Sequence, residues 1–516
     1  MLFNSYIFIF VYLPLTLGVF FWLGRHARQS WATAWLVVMS LAFYGWWNPI
    51  YLWLIGLSMA FNYLVGRGLG RHASGSAAAK RLLAFGVGAD LALLGYYKYA
   101  NFFVDNLNAL AGTGYSLGEI VLPLGISFFT FTQIAYLVDA YRGEVREYNP
   151  LHYALFVTYF PHLIAGPVLH HREMMPQFGK PSIYRFDVDH FTVGSVWFLM
   201  GLFKKAVIAD GISGYASPVF AAAAGGATPS MLDAWVGALA YTFQLYFDFS
   251  GYSDMAIGLA AMMGVRLPLN FDSPYKSQNI SEFWRRWHMT LSRFLRDYLY
   301  IALGGNRHGQ VRRYVNLFLT MLLGGLWHGA GWTFVIWGAL HGAYLIVNHA
   351  WQALCRRLGR DFGMQTLPGR VFARGLTFLA VVVGWVFFRA EDVDAAWRIL
   401  RAMAGDAPVA LSASLTAVIA QADLVRWLDL ARLELPPLAV PLGLEVLLLA
   451  IVMFAPNTQQ LLWRHYAALD EERVAAPRAA RLQWAPNLPW LGAMTLAGAW
   501  ALLGLSSVSE FLYFQF

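Results

Sequence analysis

Two histidines in unusual company offer the clearest chemistry in this chain. His328 stands in GGLWHGAGWTF, residues 324–334, among Gly324, Gly325, Gly329 and Gly331 and between Trp327 and Trp332. His288 stands in EFWRRWHMTLSRF, residues 282–294. A neutral imidazole can take the proton from a hydroxyl as that hydroxyl attacks a thioester. Its ordinary pKa near neutrality suits it to the task. The sequence holds no G-x-S-x-G elbow, no H-E-x-x-H and no Walker A motif. The chemistry indicated is acyl transfer without an acyl-enzyme, in a passage that donor and hydroxyl enter from opposite faces. The alternative for His328 is a buried contact between helices. The local density of Gly and Trp, and the cost of an idle His in hydrocarbon, favour function. For His288 the two readings balance on the residues alone. His341, in the same hairpin, reads as a supporting residue.

The rest of the chain is suited to a membrane. Of 516 residues, 58% are hydrophobic and 13% charged, against about 25% charged in an average soluble domain. This excludes a soluble enzyme, a disordered tail and a nucleic-acid-binding module, and fits an all-α polytopic membrane protein. One cysteine, Cys355, excludes a disulfide framework and a multi-thiolate metal site. The net charge of +8 reads as cytoplasmic loops facing anionic headgroups. Residues 5–24 carry no charge and are followed by Arg25 and Arg28. No basic segment precedes them and no A-x-A site follows, so they read as a retained span rather than a signal peptide. Apolar stretches recur to about residue 505, and we expect about twelve spans, some of them re-entrant. Basic clusters at 25–28, 67–81, 265–313 and 356–374 place those loops in the cytoplasm and both termini outside. The 13 residues from Tyr314 to Leu326 cover only about 20 Å, so His328 is expected at membrane depth or near its far side.

Residues 270–301 do not read as an ordinary span. Asn279 and Glu282 have the spacing of a helix start, and Ile280, Trp284, Trp287, Leu291, Phe294 and Tyr298 form one stripe. The expectation is a single Arg-rich amphipathic helix at the cytoplasmic interface, with His288 on its apolar side. Arg285 and Arg286 are either membrane anchors or a docking surface for an anionic donor such as a coenzyme-A phosphate. Tyr246, Asp248, Ser250, Tyr252, Ser253 and Asp254 crowd an apolar stretch. Two explanations stand: a broken or re-entrant helix, or Asp248 and Asp254 as helix caps. A metal site at His162, His170 and His171 is rejected, because neither their spacing nor any Cys or carboxylate pattern supports it. Asp90 is expected to pair with Lys98.

Longer motifs bring a family into view. They are LPLGISFFTF at 122–131, FPHLIAGPV at 160–168, QLYFDFSGYSDMAIGL at 244–259, EFWRRWHMTLSRFLRDYLYIALGGNR at 282–307, GGLWHGAGWTFVIWGALHG at 324–342 and the closing FLYFQF. With these the chain resembles the membrane-bound O-acyltransferases (MBOAT), and within them the bacterial branch that acetylates alginate and related exopolysaccharides. The resemblance runs from residue 1 to about 400. It implies a ring of about twelve transmembrane or re-entrant helices around a central tunnel, in one domain spanning 1–516. That domain comprises N-terminal helices (1–120), a catalytic core (121–350) and C-terminal helices (375–516). It implies that His328 is catalytic, with His288, which lines the same tunnel, as the second catalytic candidate. Arg285, Arg286, Trp284, Trp287 and Trp327 are the residues expected around the donor. Acetyl-CoA is the implied acyl donor, with no permanently bound cofactor and no metal. The implied setting is the bacterial inner membrane, with a polysaccharide acceptor and a periplasmic partner resembling SGNH hydrolases. Peptidoglycan acetylation and teichoic acid D-alanylation stand as alternative acceptor chemistries. A transporter is disfavoured, because His and Trp concentrate in two motifs rather than along several helices. The stretches 389–436 and 457–488 match no motif; 389–436 reads as a surface helix pair.

Overall fold

The computed structural model describes residues 1–145, 148–360, 365–412, 416, 438–468, 482–505 and 512. Among them there is no strand. In chain order the α-helices are α1 (Leu13–His26), α2 (Gln29–Gly45), α3 (Tyr51–Leu69), α4 (Ala77–Leu94), α5 (Ala100–Ala111), α6 (Ile126–Arg142), α7 (Pro150–Thr158), α8 (Phe160–Leu163), α9 (His171–Phe178), α10 (Val188–Phe203), α11 (Asp210–Ala224) and α12 (Met231–Met262). They continue as α13 (Ile280–Trp284), α14 (Met289–Phe294), α15 (Gly309–His328), α16 (Trp332–Leu358), α17 (Leu367–Arg389), α18 (Val393–Met403), α19 (Ala439–Phe454), α20 (Thr458–Leu461), α21 (Trp463–Ala468) and α22 (Leu488–Gly504). Among the described residues, four helical stretches are long and apolar enough to cross a membrane: Phe8–His26, Tyr51–Leu69, Val188–Ala224 and Leu367–Arg389. Two shorter apolar helices, α19 and α22, accompany them.

The described residues form two compact units. One comprises Met1–Leu202, Tyr252–Leu269 and Thr458–Ser506. Its helices approach through small residues, because between lipid-embedded helices close van der Waals packing stands in for the hydrophobic drive. A Cβ on Gly194 of α10 would lie 2.6 Å from the Gly258 carbonyl oxygen of α12. Several of its buried polar side chains bond one another, which lowers the cost of placing them in hydrocarbon. Asn62 donates to Asp90 at 2.8 Å, Gln133 donates to the Ser58 hydroxyl at 2.9 Å, and Tyr153 donates to the Gln133 carbonyl at 3.2 Å. Asp90 therefore takes its bond from Asn62 and not from Lys98, whose ammonium donates to Ser127 at 3.4 Å. His171 lies 2.9 Å from Asp139, and His162 bonds the Phe156 carbonyl at 2.9 Å.

The other unit comprises Phe203–Gly251, Asn270–Asn457 and Ser507–Phe516. Here the chain between α10 and α11 widens into a π-turn, Lys204–Ala209. Lys205 of that turn is buried, with its ammonium 2.7 Å from Asp210 and 2.6 Å from Asp248 of α12.

The crowded polar stretch of α12 is neither broken nor re-entrant, and neither Asp caps it. Met231–Met262 is one continuous 32-residue helix. Asp248 is held by Lys205, while Asp254 takes bonds from Trp197 at 3.1 Å and Thr458 at 2.7 Å. Side-chain partners brought in from distant sequence make a break unnecessary. Removing one member of a buried pair leaves an uncompensated charge and costs about 3–5 kcal/mol. Lys205→Met is therefore expected to lower the melting temperature in detergent sharply. Combining it with Asp248→Leu should recover the part of that loss that comes from the buried Asp248, leaving the part that comes from Asp210. A double variant as unstable as the single one would count against the pair.

Of the stretch 389–436, α18 is described, its Ala395, Ala396, Ile399 and Ala402 buried and Trp397 exposed. Residues 413–415 and 417–437, 469–481 of the tail, and the closing motif apart from Leu512 lie outside the described residues.

Candidate active site

The site is built on the hairpin of α15 and α16. Gly325 of α15 packs directly on the Phe334 carbonyl and on Gly338 of α16. A Cβ on Gly338 would in turn lie 2.5 Å from the Met321 carbonyl. These glycines bring two backbones together where any larger side chain would separate them. Gly329 and Gly331 then carry the chain from α15 into α16. His328 is the last residue of α15, a helix of 20 residues and hence about 30 Å long. It is buried, 7% exposed, at the tip of this tight hairpin.

Aromatic rings surround it. Trp327 lies 4.8 Å from His328, Trp337 of α16 5.1 Å and Phe388 of α17 5.2 Å, ring centre to ring centre. The array continues on both sides. Trp337 packs on His341 at 4.9 Å, and the indole N–H of Trp284 donates to Nδ1 of His341 at 3.2 Å. Trp385 stacks on Trp337 at 5.8 Å and meets Trp287 at 4.8 Å. In the other direction, Trp327 faces His288 at 6.4 Å. Three histidines thus share one aromatic cluster, and His288 and His328 flank Trp327. Indole N–H is a donor only, so His341 accepts at Nδ1 and carries its hydrogen at Nε2.

His288 corrects an expectation. The stripe through 280–298 is not one helix. The chain runs as α13, a turn, α14 and a π-turn, Leu295–Tyr300. Asn279 does start α13: its side chain accepts from the Glu282 N–H at 2.9 Å. Residues 270–272 then lie alongside the turn, where Met289 N–H donates to the Asn270 carbonyl and Asp272 N–H to the Arg286 carbonyl, both at 2.9 Å. At the break His288 has φ 43° and ψ 54°, the left-handed region that side chains rarely occupy. Its ring is fully buried, edge-on to Phe249 at 4.7 Å. Strain of this kind persists where surrounding bonds over-determine the backbone, and it gathers at functional positions.

The two adjacent arginines differ. Arg286 is tied to Glu282 at 3.0 Å and Asp272 at 3.4 Å. Arg285 is exposed and joins Arg313 and Arg356 in acting on His349, to which Arg313 comes within 3.5 Å. Nearby Lys276 donates to the Ala455 carbonyl at 2.6 Å. Burial holds its ammonium below the ordinary lysine range, opposed by Asp272 and reinforced by Arg286 and Arg374. Trp284, Trp287 and Trp327 are all buried in the aromatic cluster.

Residues 119–383 match the sequence model of the MBOAT, membrane-bound O-acyltransferase family. The chain belongs to the membrane-bound O-acyltransferase family. It is accordingly a multi-pass membrane acyltransferase. A probable alginate O-acetylase AlgI of Pseudomonas aeruginosa is 43% identical over 540 residues, covering 100% of each chain. A peptidoglycan O-acetyltransferase of Helicobacter pylori is 44% identical over 432 residues, covering 78% of this chain and 80% of the relative. A teichoic acid D-alanyltransferase of Streptococcus thermophilus is 29% identical over 286 residues, covering 51% of this chain and 68% of the relative. All three are named for acyl transfer to an envelope polymer. The family match spans His288, His328 and His341. Sequence reasoning did not single out Trp337, Trp385, Phe388, Phe249 or Asn270. The one available signal was Trp337 four residues before His341, a spacing that shares a helix face.

Proposed function

We propose that this protein moves acetyl groups from cytoplasmic acetyl-CoA across the inner membrane for O-acetylation of an alginate-like extracellular polysaccharide, with His328 as general base. The observation that carries the reading is His328 at the tip of a glycine-packed hairpin, walled by Trp327, Trp337 and Phe388. An apolar wall keeps bulk water from competing for the acyl group. The neutral imidazole takes the proton of the attacking hydroxyl. The hydroxyl oxygen bonds to the thioester carbon and the carbon–sulfur bond breaks. The imidazolium then returns its proton to the leaving thiolate, giving an ester and free coenzyme A. On the far side, a periplasmic partner resembling SGNH hydrolases moves the acetyl from that first ester to a sugar hydroxyl by transesterification: the sugar oxygen bonds to the acetyl carbon, the first carbon–oxygen bond breaks and the first hydroxyl is regenerated.

The alginate-type acceptor is favoured by coverage: similarity to the AlgI relative runs the whole length of both chains. A second reading, peptidoglycan acetylation, is supported by 44% identity to the Helicobacter pylori enzyme over four-fifths of each chain. The deciding experiment measures ester-linked acetyl in each envelope glycan fraction of cells lacking the gene, with and without complementation. Loss confined to peptidoglycan would replace the first reading with the second.

Arg285, with Arg313 and Arg356, is the proposed dock for the donor's phosphates, whereas Arg286 is already neutralised by Glu282 and Asp272. Charge-assisted bonds of this kind contribute about 1.5–3 kcal/mol. Arg285→Glu should therefore raise the KM for acetyl-CoA about tenfold or more with kcat little changed. Arg286→Glu should first lower the yield of folded protein. An unchanged KM for Arg285→Glu would leave that residue as a membrane anchor only.

A further inference from the structure

Asn270 meets the break between α13 and α14 with both its backbone and its side chain. Asn270 is buried, and its backbone carbonyl accepts from the Met289 N–H. Its side-chain oxygen accepts twice, from Nδ1 of His288 and from the hydroxyl of Thr290, each at 2.9 Å. A carbonyl oxygen can only accept. Nδ1 of His288 therefore carries the ring hydrogen, and Nε2 presents a bare lone pair. That Nε2 is buried and has no hydrogen-bond partner among the described residues. The groups packed on the ring are Phe249 of α12, Trp327 of α15, Asn270 and Thr290, none of them charged. On the α15 side the titratable neighbour is His328, next to Trp327.

We infer that Asn270 is a positioning residue of the acyl-transfer site, fixing His288 in the tautomer and orientation that make its Nε2 a hydrogen-bond acceptor for substrate. The inference rests on the acyl-transfer reading for its consequence, but not for its geometry. Ligating and catalytic imidazoles elsewhere are set in the same way, through the bond made by the other ring nitrogen. His341 is the contrast within the same cluster. It accepts at Nδ1 from Trp284 and so offers a donor at Nε2. The two supporting histidines thus present opposite hydrogen-bonding characters on either side of His328.

The test uses the full-length protein in detergent with ¹⁵N-labelled histidine. His288 is assigned by the signal that vanishes in His288→Gln. The wild type should show a protonated Nδ1 and a bare Nε2, and Asn270→Ala should lose that preference. With acetyl-CoA as donor, Asn270→Ala should lower kcat about tenfold to a hundredfold and leave the KM for acetyl-CoA within about twofold. Should Asn270→Ala fail to fold, Asn270→Asp keeps the shape of the side chain. Its carboxylate would stabilise the imidazolium, so the titration of His288 followed by its ¹⁵N signal should move up by about one pH unit or more. A wild-type His288 protonated at Nε2 would overturn the inference, as would a His288 titration unmoved in Asn270→Asp. A wild type that moves no acetyl from acetyl-CoA would instead overturn the proposed function, and the nitrogen spectrum would still decide the tautomer.

Discussion

His328→Ala is expected to reduce acetyl transfer by about 10²–10⁴-fold, the range a positioned general base supplies. In cells lacking the gene, the variant should leave ester-linked acetyl at background while wild type restores it. The effect should be one of chemistry and not of folding. His328 ends its helix and sits among rings that pack on one another without it: Trp337 on Trp385 at 5.8 Å and on Phe388 at 5.2 Å. Protein level and membrane insertion should therefore stay near wild type. His288→Ala should cost less, because in the proposed mechanism His288 holds substrate while His328 moves the proton. Equal losses would mean that the two act as a unit. Wild-type acetylation in His328→Ala would remove it as the base.

The second large effect falls on a residue with no chemistry at all. Gly325→Val should abolish folded protein. Its side chain would run into the Phe334 carbonyl and the Gly338 backbone. Backbone atoms held in helices cannot step aside as a flexible side chain can. Ordinary overpacking costs about 1–3 kcal/mol, and a clash with backbone in a helix pair exceeds it. Monodisperse protein by size exclusion in detergent should be lost, and acetylation with it. Gly375→Ala makes the control, since nothing lies within 4 Å of a Cβ built there. A stable, active Gly325→Val protein would mean that α15 and α16 need not meet so closely.

Both predictions concern one hairpin, which the sequence made partly legible. Glycine at 324, 325, 329 and 331, beside a histidine between tryptophans, marked a place where backbones approach or turn. The pairing of Gly325 with Gly338 was not legible, because nothing in the spacing says which faces of two helices meet. The amphipathic stripe of 280–298 shows the converse failure. Its periodicity is helical and its residues are largely buried, but Asn270, ten residues upstream of Ile280, draws the backbone at His288 out of the helix through bonds to His288, Met289 and Thr290. Local propensity could not register a competitor from another segment.

The polar run in α12 failed for a similar reason. Asp248 and Asp254 looked intolerable inside a continuous span until Lys205, Trp197 and Thr458 supplied their partners. Composition alone determined that the chain is helical and membrane-embedded, because hydrocarbon leaves few other ways to satisfy a backbone. The motifs determined the family, and with it His328 and His288 as the residues to examine. The tertiary structure decided which side chains neutralise the buried charges, which of two adjacent arginines is tied to carboxylates, and which nitrogen of each supporting histidine carries the hydrogen. Those are properties of partners, and a hydrogen bond or ion pair exists only once folding has brought both halves within about 3–4 Å.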